Sequence, residues 1–365
     1  MSSIRVLHDY MVVREGGAKV VKSLADKLGC PISVGCLSAQ MALMSGTNIQ
    51  TLGCHFQHEY LRAFSVYRRW GKFVCDARTI VYSGHYTPLS VFNHPDSYNI
   101  AYCHTPPRFV FDQYCHFLNR VPGAMRPAYI AFLQRYRRRY LAAMGKMDLI
   151  LTNSRNVKDR IKRYLGAAAN VVYPPCETGD FEWKQSDGYF LSAARLDSLK
   201  RVDLVIRAFL DTPDKKLIVA SDGPERQRLE RLANPASNIH FTGMVSDDNM
   251  RNLLSRCIAT IYIPKDEDFG ISPVESMASG KPVIGVADGG LLETIEHEKT
   301  GYLLSADPDV SEIIAAVKLL SPQKSRMMRD DCLARATVFD SAVFYQAFDN
   351  YLPAGKYGKT FEEVI

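Results

Sequence analysis

Residues 267–285 read EDFGISPVESMASGKPVIG, and the punctuation of that stretch decides the fold. Ser272, Pro273 and then Glu275, three places after the serine, have the form of a capping box with proline at the first helical position. Gly280, followed by Lys281 and Pro282, is a helix stop. The spacing predicts a short helix over 273–279, and the apolar run 281–286 predicts a strand. Helix, sharp stop and short apolar strand make one period of an α/β chain.

The period recurs in both directions. Short apolar or β-branched runs at 4–8, 79–83, 99–103, 148–152 and 170–173 alternate with helical patterns, and a second series lies at 189–194, 216–221, 238–242, 258–263, 281–286 and 301–304. Alternation of this kind predicts an α/β fold of two doubly wound, Rossmann-like domains. With 365 residues the chain exceeds one ordinary core. Tyr173-Pro174-Pro175 and the polar sequel to Gly188 separate the two series. The expected domains are therefore 1–174 and 175–338, with a C-terminal helix, 339–365, returning to the first. Open α/β sheets bind ligands beyond the carboxyl ends of their strands, so the two sheets are expected to share a cleft there.

Composition narrows the class. Hydrophobic residues at 47% and charged residues at 23% are ordinary for a soluble globular protein. Arg5 and His8-Asp9 interrupt the first apolar run, and no stretch approaches the length of a membrane span, so a cytoplasmic chain is expected. Nine cysteines without a C-x-x-C give neither a disulfide framework nor a zinc-ribbon spacing. Cys54 with His55 and His58, Cys103-His104 and Cys115-His116 lie close in sequence, yet such scattered pairs are more simply packed or solvated than metal-bound. The net charge of +6 hides an asymmetry: residues 1–175 hold 23 Lys+Arg and 9 Asp+Glu, hence +14. The remainder, 45 − 23 = 22 against 39 − 9 = 30, carries −8. The basic half is expected to face an anionic partner.

Several loops carry residues suited to chemistry. In FLSAARLDSLKRVDLVIRAF, 190–209, Arg195 and Lys200 flank a strand-to-helix loop, where a guanidinium fork and a compact ammonium suit a diphosphate; a solvated basic loop is the simpler alternative. In HDYMVVREGGAKVV, Gly16 and Gly17 precede a helix expected from about Ala18 and permit close approach of a phosphate, or merely form a tight turn. In AYCHTPPRFVFDQY, 101–114, His104 ends a strand, where it either reaches a substrate hydroxyl or packs in the core.

The ordered set resembles a known family. Gly16-Gly17, the His-Thr-Pro at 104–106, TNS at 152–154, VVYPP, ARLDSLKRVD, SDGPE at 221–225, FTGMV at 241–245, EDFGISPVESMASGKPVIG and DGGLLETI stand in the order typical of family 4 retaining glycosyltransferases of the GT-B fold. The likeness spans nearly the whole chain. It implies that Glu267 contacts hydroxyls of a donor sugar and that Glu275 binds the nucleotide ribose. The main chain of Phe269, Gly270 and Ile271 would then lie against sugar and diphosphate at a helix N-terminus. Arg195 and Lys200 would neutralise the leaving diphosphate, Gly16 and Gly17 would approach it from the other domain, His104 would touch the sugar beside the reacting carbon, and Gly243, Met244 and Val245 would line the base. This sequence departs from the family at Ala194, where glycine is usual, and at Lys19, where glutamate is usual.

YCHTPPRFVFD looks most like bacterial mannosyltransferases of lipopolysaccharide and exopolysaccharide assembly, which implies GDP-mannose as donor and a glycan or polyprenyl-diphosphate-linked acceptor. Two rivals share the architecture: a nucleotide-sugar epimerase, and a protein that binds the nucleotide sugar without turnover. A retaining glycosidase pair would hold its carboxyls roughly 5 to 5.5 Å apart, whereas eight helical residues span about 12 Å. Asp266-Glu267-Asp268 has the D-x-D form that binds a metal-sugar-nucleotide in a different fold; inside the glutamate motif it is coincidence, and no metal or cofactor is expected. Finally, in LRAFSVYRRWGKFVC, 61–75, Leu61, Phe64, Tyr67, Trp70 and Phe73 recur at helical spacing among Arg62, Arg68, Arg69 and Lys72. That pattern predicts an interfacial helix on an anionic membrane, with QRYRRRYLAAMGK, 134–146, as a second basic cluster; a helix packed on the domain with solvated charges is the alternative. No nucleic-acid recognition motif accompanies the basic half.

Overall fold

The structure is a computed structural model and describes residues 4–12, 16–38, 41–42, 48–54 and 59–353. It divides into two units, Met1–Tyr173 with Tyr345–Ile365, and Pro174–Phe344. The strands of the first unit are β1 (Ile4–Met11), β2 (Ile32–Leu37), β3 (Ile49–Thr51), β4 (Thr79–Ser83), β5 (Tyr98–Cys103), β6 (Leu149–Thr152) and β7 (Asn170–Val171). They form one sheet in the order β3-β2-β1-β4-β5-β6-β7. Those of the second are β8 (Tyr189–Ser192), β9 (Lys216–Val219), β10 (Ile239–Phe241), β11 (Thr260–Ile261), β12 (Val283–Val286) and β13 (Gly301–Leu304), in the order β10-β9-β8-β11-β12-β13. Every pairing in both sheets is parallel.

Parallel strands covered on both faces read as continuous apolar runs rather than alternations, and β4 and β12 are buried at every position. Their helices are amphipathic instead. Val202–Leu210 buries Val202, Val205, Ile206 and Phe209, the i, i+3, i+4, i+7 face, and Phe209 meets Phe190 of β8 edge-on with centroids 5.6 Å apart.

Two strands escape the sequence reading. β2 contains Gly35, which weakens a strand pattern; here a side chain at 35 would lie 2.7 Å from the Asp9 carbonyl, so glycine permits close packing on β1. β3 is a three-residue edge with mostly exposed side chains. The first boundary falls between Tyr173 and Pro174. The second falls at Phe344/Tyr345 rather than 338/339, because Phe339 packs edge-on against Phe269 at 5.4 Å and its carbonyl accepts from the Cys176 amide. The helix Ser341–Asp349 runs through that boundary. Tyr345 belongs to the first unit, where its hydroxyl lies 2.6 Å from Ser23 Oγ and Lys27 faces its ring. Residues 354–365 of the expected terminal helix, and His55 and His58, lie outside the described residues.

Candidate functional site

In the second sheet the chain order reverses between β8 and β11, the switch point at which open α/β sheets bind ligands. The loops leaving those neighbouring strands are stitched together. The Lys265 amide donates to the Leu199 carbonyl at 2.8 Å. Arg201, buried and held at φ 52, donates to the carbonyls of Ile263 at 2.7 Å and Pro264 at 3.0 Å. This frame brings Lys200 to Glu267. Lys200 Nζ donates to Glu267 Oε2 at 2.6 Å and to the Tyr262 hydroxyl at 2.9 Å, and that hydroxyl donates to the same carboxylate oxygen at 2.9 Å. Burial opposes the ammonium charge, but Tyr262 and Glu267 outweigh it and hold the Lys200 pKa above its ordinary value. Burial likewise raises the Tyr262 phenol, which stays neutral and bridges the pair. An ammonium and a carboxylate locked at a switch point can serve a ligand carrying both anionic oxygens and hydroxyls.

Beyond Glu267 the chain turns back under the loop after β12. The Gly290 amide donates to the Glu267 carbonyl at 3.0 Å and the Asp266 amide to Asp288 Oδ2 at 3.0 Å. Gly270 sits at φ 88, and a side chain there would come within 2.7 Å of Leu291. The helix that follows is Ile271–Ala278, with Gly270 as N-cap and no side-chain cap. The expected capping box is therefore wrong. Ser272 is already the second helical residue, because the left-handed Gly270 lets the helix start two residues earlier than Pro273 suggested. The stop holds: Gly280 has φ 64, its amide donates to the Met277 carbonyl at 2.8 Å, and the Lys281 amide reaches Ser276 at 3.0 Å. Glu275 lies one turn into this helix, partly exposed.

The remaining second-unit candidates stand on the same sheet edge. Arg195 is exposed on the loop after β8. That loop is bonded to the loop after β9, with the Leu196 amide donating to the Asp222 carbonyl and the Glu225 amide to the Leu196 carbonyl, both at 3.0 Å. Gly243, at φ 71, follows β10; a side chain there would lie 3.0 Å from Arg226, which pairs with Asp222 and Glu230. Met244 is exposed, and Val245 packs beside Tyr189 and Leu191. Sequence reasoning missed Tyr262, an ordinary strand-end tyrosine whose role shows only through its two partners.

The first unit gathers a different set at its own switch point, between β1 and β4. Gly16 and Gly17 open the helix Gly16–Leu28, which begins at the glycines rather than at Ala18. A side chain at Gly17 would meet His104 Nε2 at 3.5 Å and His8 Cε1 at 3.6 Å. Ser83 Oγ lies 2.8 Å from His104 Nε2 and 3.1 Å from His8 Nδ1. Burial pushes His8 down to about 4, His85 to about 4 and His104 to about 3, and repulsion among them adds to the fall in His85 and His104. Beneath them Asp9 accepts from the amides of His85 at 2.5 Å, Tyr86 at 2.9 Å and Thr87 at 3.0 Å, and burial lifts its carboxyl to about 7 against those three donors. His8 and Asp9 read in the sequence only as an interruption of an apolar run, and Ser83 and His85 carry no signal of their own there.

The expected membrane helix is Glu59–Trp70, and half of the expectation fails. Trp70 is fully buried and packs on Phe73 at 5.0 Å. Tyr67 packs among Phe132, Tyr86 and Tyr136. Helical spacing gave one aromatic stripe, but the core claims most of it. Leu61 and Phe64 stay about half exposed, Arg68, Arg69 and Lys72 are exposed, and Arg62 lies over the Tyr10 ring. Phe64 also meets Phe132 of the helix Arg126–Met144, whose Arg135, Arg137 and Arg138 are exposed. Among the described residues no group of His, Cys, Asp and Glu is placed to hold a metal, and no helix is long and apolar enough to cross a membrane.

Residues 178–336, which include every second-unit candidate, match the model of the family described as glycosyl transferases group 1. Over those residues the chain is similar to that family. The chain is also 28% identical over 237 residues to the alpha-1,3/1,6-mannosyltransferase ALG2 of Mus musculus, covering 53% of this chain and 56% of that protein. It is 30% identical over 147 residues to the N-acetyl-alpha-D-glucosaminyl L-malate synthase of Bacillus anthracis, 38% of each chain. The chain thus spans about half the length, or less, of these curated relatives. Among solved structures, HepE of Anabaena in complex with UDP and glucose superposes with a TM-score of 0.75 at 14% identity, covering 95% of this chain and 98% of that one. Sucrose-phosphate synthase from Thermosynechococcus elongatus gives 0.74 at 16% identity over 95% and 98%. These likenesses show the fold: the matched residues lie in one of two Rossmann-like domains of GT-B type.

Proposed function

We propose that the chain is a retaining hexosyltransferase that moves mannose from GDP-mannose onto a glycan or polyprenyl-diphosphate-linked acceptor of surface polysaccharide synthesis. The observation that carries this reading is the locked Lys200–Tyr262–Glu267 cluster at the switch point of the second sheet, within the residues similar to group 1 glycosyl transferases. In this reading Lys200 and Arg195 neutralise the departing diphosphate, Glu267 turns to the sugar hydroxyls, Glu275 holds the ribose and Gly243 to Val245 border the base. The amides of Phe269, Gly270 and Ile271 face the sugar and diphosphate at a helix start without a side-chain cap. No side chain of the cluster needs to bond the sugar carbon, so departure and attack take place on one face of the ring. The choice of mannose is supported by relatives named as mannosyltransferases, among them the human GDP-Man:Man(3)GlcNAc(2)-PP-Dol alpha-1,2-mannosyltransferase, 27% identical over 232 residues. The charge work is done by Lys200 and Arg195, and the reaction needs no metal ion. The test is a turnover assay with GDP-mannose and lipid-linked or soluble glycan acceptors in excess chelator. The reading expects an α-linked product at an undiminished rate. A β-linked product, or activity restored only by Mg²⁺ or Mn²⁺, would sink the retaining, metal-free assignment.

The acceptor side is assigned to the first unit, with the exposed Leu61 and Phe64 and the cations Arg68, Arg69, Lys72, Arg135 and Arg138 resting on an anionic leaflet. Each such cation contributes about 1 kcal/mol near an anionic surface, and the two apolar side chains add area. Replacing Phe64 by Asp together with Arg68 and Arg69 by Glu is expected to abolish flotation with anionic liposomes and leave the folded chain intact, since none of the three is core. Unaltered flotation would remove the surface from the account.

A further inference from the structure

The histidine cluster of the first unit contains a relay whose proton positions follow from geometry. A carbonyl oxygen only accepts, so His8 Nδ1, 3.0 Å from the Ser83 carbonyl, carries a hydrogen. The same N–H forks to Ser83 Oγ at 3.1 Å. The Ser83 hydroxyl could accept from both rings, but it is buried and its one hydrogen would then lack an acceptor; with His8 donating to it, that hydrogen is satisfied by donating to His104 Nε2 at 2.8 Å. Reversing the chain would make His8 Nδ1 an acceptor, with its lone pair directed at the lone pairs of the carbonyl. We propose that Ser83 is a positioning residue which, with His8, holds His104 as the tautomer protonated on Nδ1, so that His104 offers an N–H donor.

Two observations support the relay. Burial depresses all three neighbouring histidines well below neutrality, so His104 is a neutral ring with one acceptor nitrogen, and a second proton does not blur the assignment. Tyr102 packs edge-on against the His104 ring at 5.1 Å, and His8 lies edge-on at 6.4 Å, which fixes the ring plane. A ring whose tautomer is set from behind in this way presents a donor to a hydroxyl or a ring oxygen, where the opposite tautomer would present a lone pair.

The test is long-range proton–nitrogen correlation on the full chain labelled with ¹⁵N in its histidine rings, His104 being assigned by the spectrum lost in His104→Gln. In the unsubstituted protein at neutral pH, Nδ1 of His104 is expected to give the protonated-nitrogen shift and Nε2 the bare one. Ser83→Ala is expected to collapse that pattern toward a mixture or toward Nε2–H, and Ser83→Thr to keep it. His104 protonated on Nε2 in the unsubstituted protein would overturn the proposal even if Ser83→Ala failed to fold, and so would a tautomer indifferent to Ser83→Ala. The kinetic consequence rests on the glycosyltransferase reading: Ser83→Ala lowers kcat on the order of 10- to 100-fold, the range known for partners that orient metal-ligating histidines, with the donor KM unchanged and Ser83→Thr restoring it. The ring spectra need no activity, so a failure of the relay and a failure of that reading are told apart.

Discussion

Lys200→Ala is expected to lower kcat by about 10²–10³-fold, some 2.7–4 kcal/mol of transition-state stabilisation, while the donor KM moves by no more than a few fold. The reasoning is electrostatic. Lys200 is held at the sheet edge by Tyr262 and Glu267, with its side chain 23% exposed, so the ammonium acts in a site that water screens poorly. In the proposed reaction its charge would matter most when a diphosphate takes up the electrons of the breaking glycosidic bond, less when the intact donor merely binds. Removing it also leaves Glu267 with Tyr262 as its remaining hydrogen-bond partner within the cluster. Lys200→Arg keeps the charge yet replaces a compact ammonium with a planar fork, and is expected to fall between the two. Steady-state kinetics on the three proteins checks this. A rise in KM at constant kcat would reassign Lys200 to ground-state binding.

Gly84→Ala is expected to destabilise the first unit by about 3 kcal/mol or more, the range of backbone strain combined with loss of charge-assisted hydrogen bonds. Gly84 has φ 136, and a side chain there would stand 2.5 Å from the Asp9 carboxylate. To accommodate it, Asp9 must leave the amides of His85, Tyr86 and Thr87, and three backbone donors at the start of the turn Thr87–Asn93, two of them buried, lose this acceptor together. At roughly 2–4 °C per kcal/mol for a unit of this size, the first thermal transition should drop by about 6–12 °C. Asp9→Asn keeps the volume and part of the acceptor capacity, so its loss should be smaller. A Gly84→Ala protein melting within about 2 °C of the parent would show that the turn relaxes and that Asp9 is not its keystone.

What the sequence made legible follows from what kind of residue carries each feature. Glycine, proline and charge punctuate loops, and loops at the carboxyl edges of the sheets hold Arg195, Lys200, Gly243, Glu267 and Gly270, so these candidates stand out in the sequence. Tyr262 and Ser83 sit at strand ends and His8 within β1, as side chains common in any strand, and only the parallel register that sets β1 beside β4 and β8 beside β11 reveals them. The capping-box reading of Ser272 failed because a glycine in a left-handed conformation starts a helix as well as a serine cap does, and a sequence does not print φ. Trp70 was misread for a related reason: a helical stripe of aromatics says that one face is apolar, not whether core or lipid covers it. β2 was lost to its Gly35, which looks like a weakness until the Asp9 backbone is placed against it.

The central claim is that the second unit binds a nucleotide sugar through the loops after β8 and β11. Calorimetric titration of the purified chain with GDP-mannose, UDP-glucose, UDP-N-acetylglucosamine and ADP-glucose, alongside Glu275→Ala, tests it most directly. GDP-mannose is expected to bind in the micromolar range, above the other three, and Glu275→Ala to weaken it about tenfold or more, ~1.4 kcal/mol. Binding of no donor at all, or a Glu275→Ala protein that binds as the parent does, would contradict it.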